Sequence, residues 1–127
     1  MKQCVLLVED NGPIRENTAE LLELSDYVVI VAKDGEQALE MITGKKPDLI
    51  LCDIMMPKMD GYEFLKIIRQ EYQLNNIPFI FFTAYSEKIE MQKGLQMGAC
   101  DYIVKPFEPD TLILTIRKYL PAQVSFV

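Results

Sequence analysis

The sequence predicts an α/β fold, a doubly wound parallel sheet with a (βα)5 pattern, and three observations carry that expectation. Short continuous apolar runs alternate with longer segments whose apolar residues recur at helical spacing. The runs are apolar throughout rather than alternating, which suits strands covered by helices on both faces. Gly, Pro, Asn and Asp fall singly between the segments, as turns rather than as linkers.

The elements follow in order. Cys4 to Val8 is the first strand. Asn11-Gly12-Pro13 turns the chain into a helix, with Pro in the first turn, where its missing N–H costs nothing. Ile14, Thr18, Leu21, Leu22 and Ser25 lie along one face of that helix. Tyr27 to Ala32 reads as the second strand. Asp34 caps the next helix, with Gln37 three positions on, Ala38, Met41 and Ile42 inside and Gly44 at its end. Leu49 to Cys52 is the third strand. Asp60-Gly61-Tyr62-Glu63 repeats the capping pattern ahead of Phe64, Leu65, Ile68 and Tyr72.

Pro78 opens the fourth strand, Phe79 to Phe82. Ser86 suits the cap of a fourth helix bearing Met91 and Leu95 and closed by Gly98, although Gly94 inside it costs about 1 kcal/mol relative to Ala. Tyr102 to Val104 is a short fifth strand. Pro109 starts the last helix, with Leu112, Ile113, Ile116 and Leu120 on one face.

Composition narrows the class. The 127 residues, 50% hydrophobic and 25% charged, match one globular unit with a single core. No apolar stretch approaches the roughly 20 residues of a membrane span, and Met1-Lys2-Gln3-Cys4 lacks the pattern of a signal peptide, so a cytoplasmic location is expected. A net charge of −6 disfavours direct nucleic-acid binding. Cys4, Cys52 and Cys100 have no metal-binding spacing, and there is no histidine to complete a zinc site. They read as buried or half-buried small side chains.

In a doubly wound sheet the binding crevice lies past the carboxyl ends of the strands. That rule gathers Glu9, Asp10, Asp53, Thr83 and Lys105 at one edge. Like charges about 4 Å apart repel by roughly 4 kcal/mol at an effective dielectric of 20, so the three acids require a cation. An oxygen-rich site without histidine favours Mg²⁺. A carboxylate can also attack phosphorus to give an acyl phosphate. Asp53, alone at its strand end, suits that role, whereas Glu9 and Asp10 stand side by side and suit a metal. Lys105 can pair with a phosphoryl oxygen or, before phosphorylation, with a carboxylate. Thr83 could donate its hydroxyl to the same oxygen. Taken singly, an acid after a strand is more often a helix cap, and Asp60 is read that way. Jointly with Thr83 and Lys105, the acids read as a site.

The set Val8-Glu9-Asp10, Asp53-Ile-Met-Met-Pro57 with Asp60-Gly61, Thr83-Ala84 and Lys105-Pro106-Phe107, in this order and spacing, resembles the receiver domain of two-component response regulators, of chemotaxis-receiver type. The resemblance spans roughly residues 3–120. It implies a flavodoxin-like sheet of order 2-1-3-4-5, a receiver domain over residues 1–121, and a tail or linker stub over 122–127.

It further implies that Asp53 is the phosphoacceptor, with Lys105 binding the phosphoryl group and Thr83 closing toward it. Asp10 would ligate Mg²⁺ directly and Glu9 through water, with Asp53 and the Met55 main-chain carbonyl completing the protein ligands. Tyr102 matches an aromatic switch whose ring moves inward with Thr83, and the Lys105–Pro106 bond is expected to be cis. The implied donor is a sensor histidine kinase or phosphotransfer protein. A phosphorylation-linked homodimer is compatible with the family, and an α4-β5-α5 output face is expected, with the downstream effector or attached output domain left open. Met55 and Tyr85, bulky and flanking the pocket, suggest a phosphoryl lifetime longer than that of fast chemotaxis-type receivers.

Two rival readings stand beside this one. An aspartyl-phosphate phosphatase or phosphotransferase of haloacid-dehalogenase-like type would usually carry a general acid two residues after the nucleophile, where this chain has Met55. A receiver used unphosphorylated as a docking surface is the other.

Overall fold

The computed structural model describes residues 2–84 and 88–121. Five strands, β1 (Cys4–Val8), β2 (Val28–Ala32), β3 (Leu49–Cys52), β4 (Phe79–Thr83) and β5 (Asp101–Val104), alternate with five helices. These are α1 (Gly12–Leu24), α2 (Gly35–Gly44), α3 (Gly61–Gln70), α4 (Lys88–Gln96) and α5 (Pro109–Tyr119). The strands form one sheet in the order β2-β1-β3-β4-β5, and every pairing is parallel.

The apolar runs are buried for the reason their pattern gave. In β1, β3 and β4 every residue is buried, and successive side chains point to opposite faces. On one face Leu6, Val8, Ile50, Cys52, Phe79 and Phe81 pack with Ala38 and Ile42 of α2 and Phe64, Leu65 and Ile68 of α3. On the other, Val5, Leu7, Leu49, Leu51, Ile80 and Phe82 pack with Ala19 and Leu22 of α1 and Leu112 and Ile116 of α5. Strand β2, at the sheet edge, leaves Val28 and Val31 exposed.

Capping follows the sequence closely. The side chains of Asn11, Asp34 and Asp60 accept from the N–H groups of Ile14, Gln37 and Glu63. The Gln37 side chain reaches back to the N–H of Lys33 at 2.7 Å, one residue before the cap. Gly98 ends α4 with φ at 112°, a left-handed conformation that favours glycine.

Several details differ from expectation: β4 runs one residue further, to Thr83, and β5 begins one residue earlier, at Asp101. The second strand begins at Val28, because the Tyr27 N–H is turned back to the Leu22 carbonyl at the end of α1 at 3.1 Å, while its buried side chain donates its hydroxyl to the Leu120 carbonyl at 2.9 Å. In α1 the buried residues are Thr18, Ala19 and Leu22, with Ile14, Leu21 and Ser25 half-buried. In α4, Leu95 is exposed and Met91 half-buried, while Gly94 is the buried position. A Cβ on Gly94 would lie 2.1 Å from the Tyr102 hydroxyl and 2.8 Å from the Phe81 ring. The glycine that weakens the helix locally is what lets α4 sit close to β4 and β5. Ser86, Tyr85 and residues 122–127, on which expectations were placed, lie outside the described residues.

Candidate functional site

Ladder hydrogen bonds carry the sheet one residue past the paired strands and so align the site. Val8 pairs with both Ala32 and Cys52. The next N–H groups continue the pattern: Glu9 to the Ala32 carbonyl at 3.0 Å, Asp53 to Val8 at 3.1 Å and Lys105 to Thr83 at 2.9 Å. Side chains that are 96 residues apart in the chain, Glu9 and Lys105, thereby become neighbours. The Lys105–Pro106 peptide is cis.

Glu9 and Asp53 are buried, as is Thr83, whereas Asp10 is exposed. Carboxylate oxygens of Glu9, Asp10 and Asp53 lie within 4.8 Å of one another. Lys105 Nζ donates to Asp53 Oδ2 at 2.8 Å and also to Glu9 Oε1, and it sits 4.5 Å from the centroid of the Phe82 ring. The predicted alternative for this lysine before phosphorylation, pairing with a carboxylate, is the arrangement found.

Burial pushes the Glu9 carboxyl up to about 7; the Lys105 hydrogen bond pulls against that shift and the charge of Asp53 adds to it. Burial also works to lower the Lys105 ammonium. The hydrogen bonds and charges of Asp53 and Glu9 outweigh it, so the lysine sits above its ordinary range. Taking these groups out of water is costly for each alone and tolerable together.

The loop after Asp53 shapes the entrance. The N–H of Met55 donates to Asp53 Oδ1 at 3.2 Å, and Met55, Met56 and Pro57 line an open groove of about 450 Å³ with Asp10 and Asp60. Gly61 fastens the far end of the loop. Its N–H donates to the Ile54 carbonyl at 2.8 Å, and a Cβ there would lie 2.5 Å from the Asp53 carbonyl oxygen.

Tyr102 is held elsewhere. Its ring packs 5.5 Å from Phe81, and its hydroxyl donates to the main-chain carbonyl of Glu90 in α4 at 2.7 Å. Three contributors were not read from the sequence. Arg15 donates to the carbonyl of Glu9 at 2.8 Å and of Asp10 at 3.4 Å, steadying the acidic pair from the first turn of α1. Its position five residues after Asp10 was the available signal. Tyr62 and Glu90 meet across α3 and α4, a long-range contact with no local signature.

A family model described as response regulator receiver domain matches residues 5–117. The chain is 40% identical over 119 residues to a probable transcriptional regulator, ycf27, of Guillardia theta, covering 94% of this chain and 46% of that protein. It is 38% identical over 117 residues to the phosphate regulon transcriptional regulatory protein PhoB of Escherichia coli, covering 92% of this chain and 51% of that one. The chain thus spans about half the length of the curated relatives it matches.

Among solved structures, the Vibrio cholerae chemotaxis protein CheY4 superposes with a TM-score of 0.89 at 34% identity, covering 94% of this chain and 99% of that one. The BeF3-activated N-terminal receiver domain of Klebsiella pneumoniae RstA gives 0.86 at 32% identity, covering 94% and 100%. These likenesses lend no support to the phosphatase alternative.

Proposed function

The chain belongs to the response regulator receiver domain family, and from that premise we propose that it accepts a phosphoryl group on Asp53 from a phosphohistidine donor. The observation that carries the reading is the pairing of Lys105 with Asp53 at 2.8 Å inside a cluster of three carboxylates. An ammonium already against the acceptor carboxylate is placed to follow charge onto an incoming phosphoryl oxygen.

The step balances simply. A carboxylate oxygen of Asp53 attacks phosphorus, the N–P bond of the donor breaks, and the imidazole leaves with the electron pair and takes up a proton. Asp53 then carries a phosphoryl group of nearly two negative charges in place of the single charge of its carboxylate, with three acceptor oxygens. Lys105 and Thr83 turn toward them, and Tyr102 follows, changing the α4-β5-α5 face. Exposed Ile89, Leu95 and Leu114 on α4 and α5 supply apolar surface there for a partner. That partner is a downstream effector, an attached output domain or a second copy of the chain.

The donor set fits Mg²⁺: three carboxylates that bring oxygens within 4.8 Å of one another, with no nitrogen or sulfur ligand among them. Glu9, Asp10, Asp53 and the main-chain carbonyl of Met55 would hold it. Bound there, Mg²⁺ supplies positive charge against the phosphoryl oxygens.

Residues 1–121 would form the receiver unit, and 122–127 a tail or linker stub. The free cysteines suit a reducing cytoplasm, and no helix among the described residues is long and apolar enough to cross a membrane. Met55, 57% exposed beside Asp53, limits the approach of water, so the acyl phosphate is expected to outlast that of fast chemotaxis-type receivers; a half-life of seconds would count against this.

Incubation with Mg²⁺ and a small acyl-phosphate donor tests the whole reading. One hydroxylamine-labile phosphoryl group per chain is expected, and none on Asp53→Asn, which is expected to keep the fold. Label on that variant would remove Asp53 from its role, and sustained turnover of phosphate esters would favour an enzyme.

A further inference from the structure

We propose that Tyr62 and Glu90 are positioning residues that latch α4 to α3 and thereby hold Tyr102 in its unphosphorylated place; the inference rests on the receiver reading above. Tyr62 follows Gly61, the residue that fastens the Asp53 loop. Its hydroxyl donates to Glu90 Oε2 at 2.6 Å and lies 3.2 Å from the Glu90 main-chain oxygen. Tyr102 donates to that same main-chain oxygen at 2.7 Å. A phenol has one hydrogen to give, so the carboxylate takes that of Tyr62 and the carbonyl takes that of Tyr102.

One residue of α4 therefore gathers two tyrosines, one from α3 and one from β5. Both rings pack on Phe81, at centroid distances of 5.4 and 5.5 Å. The Lys93 ammonium covers the outer side of Tyr62, 4.4 Å from its ring centroid. The bare backbone of Gly94 admits the Tyr102 hydroxyl. Neither Tyr62 nor Glu90 touches the reacting atoms, but together they join the Asp53 loop to the helix that anchors the aromatic residue.

The arrangement belongs to the resting state, because Lys105 is occupied by Asp53 and Glu9. If a phosphoryl group draws Tyr102 toward Thr83, its bond to Glu90 must open. Contacts made only in the resting packing oppose that change, and removing them shifts the balance toward the other. The latch thus sets how readily the chain takes on the phosphorylated conformation.

Beryllofluoride with Mg²⁺, a mimic of the acyl phosphate, tests this on the whole chain, with binding followed by NMR of fluorotyrosine-labelled protein and folding checked by thermal melting. Tyr62→Phe and Glu90→Ala are expected to bind about threefold to tenfold more tightly, the worth of one hydrogen bond, and to shift the Tyr102 resonance toward its bound position before ligand is added. Glu90→Gln keeps an acceptor oxygen and should behave as the parent. Unchanged or weaker binding by folded Glu90→Ala or Tyr62→Phe, with the parent binding normally, overturns the latch alone. A parent chain that takes neither beryllofluoride nor phosphoryl label overturns the receiver reading and the latch with it.

Discussion

Lys105 donates to Asp53 at 2.8 Å while also holding Glu9, so a single ammonium closes two buried carboxylates contributed by different strand ends. Removing it should leave those acids facing one another. Lys105→Ala is expected to lose about 3 kcal/mol of stability, the usual cost of breaking a buried pair. Mg²⁺ should return more of that stability to the variant than it adds to the parent, since a ligand that binds only the folded state stabilises it. Urea denaturation with and without millimolar Mg²⁺ measures both; equal responses in the two proteins would show that the acids do not share a cation site.

Thr18 offers a gain. Among the described residues its hydroxyl is the buried side-chain oxygen with no hydrogen-bond partner. Replacing an unsatisfied polar group by an apolar one of the same shape removes a desolvation cost of about 1–3 kcal/mol. Thr18→Val should therefore raise stability by about 1 kcal/mol in urea, without altering modification of Asp53.

Two helical glycines should respond oppositely to alanine. A Cβ added at Gly44 would meet nothing within 4 Å, so Gly44→Ala should stabilise by about 0.5–1 kcal/mol. At Gly94 the new carbon would meet Tyr102 at 2.1 Å and Phe81 at 2.8 Å. Gly94→Ala gains the same propensity but overpacks the seam, for a net loss of about 1–3 kcal/mol and a displaced Tyr102 ring, visible by NMR.

Alkali should destabilise the fold. Burial, with the charges of Asp53 and Glu9 adding to it, holds the Cys52 thiol well above its ordinary value of 9.0. Burial likewise raises Cys4 and Tyr27, and burial with an Asp101 hydrogen bond pushes Tyr119 up to about 12. Above the unfolded-state pKa values the folded chain retains protons that the unfolded chain has lost. Stability from these groups is whole below about pH 9 and falls as pH rises, by up to about 1.4 kcal/mol per pH unit for each proton held. Urea midpoints at pH 8, 9.5 and about 10.5 test the sign; a constant or rising midpoint would contradict it.

The strands were legible because a parallel sheet buried on both faces demands unbroken apolar runs, and Cys4–Val8, Leu49–Cys52 and Phe79 to Phe82 are such runs. The helix starts were legible because Asn11, Asp34 and Asp60 satisfy orphan N–H groups within three residues of themselves. Expectation slipped where a hydrogen bond or close approach invisible to periodicity decided the matter. The Tyr27 N–H closes the end of α1 on the Leu22 carbonyl, and the inner side of α4 is a glycine seated on Tyr102.

The sequence by itself determined which chemistry could assemble here: acids, a hydroxyl and a lysine at successive strand ends, whose order follows from local periodicity and turn residues. Tertiary structure decided how those groups are shared. Lys105 spans Asp53 and Glu9, Arg15 steadies the carbonyls of Glu9 and Asp10, and Glu90 collects two tyrosines, one from α3 and one from β5. Local propensity acts over a few residues, whereas the choice of partner for a buried charge or hydroxyl depends on which groups the packed sheet brings within about 3 Å.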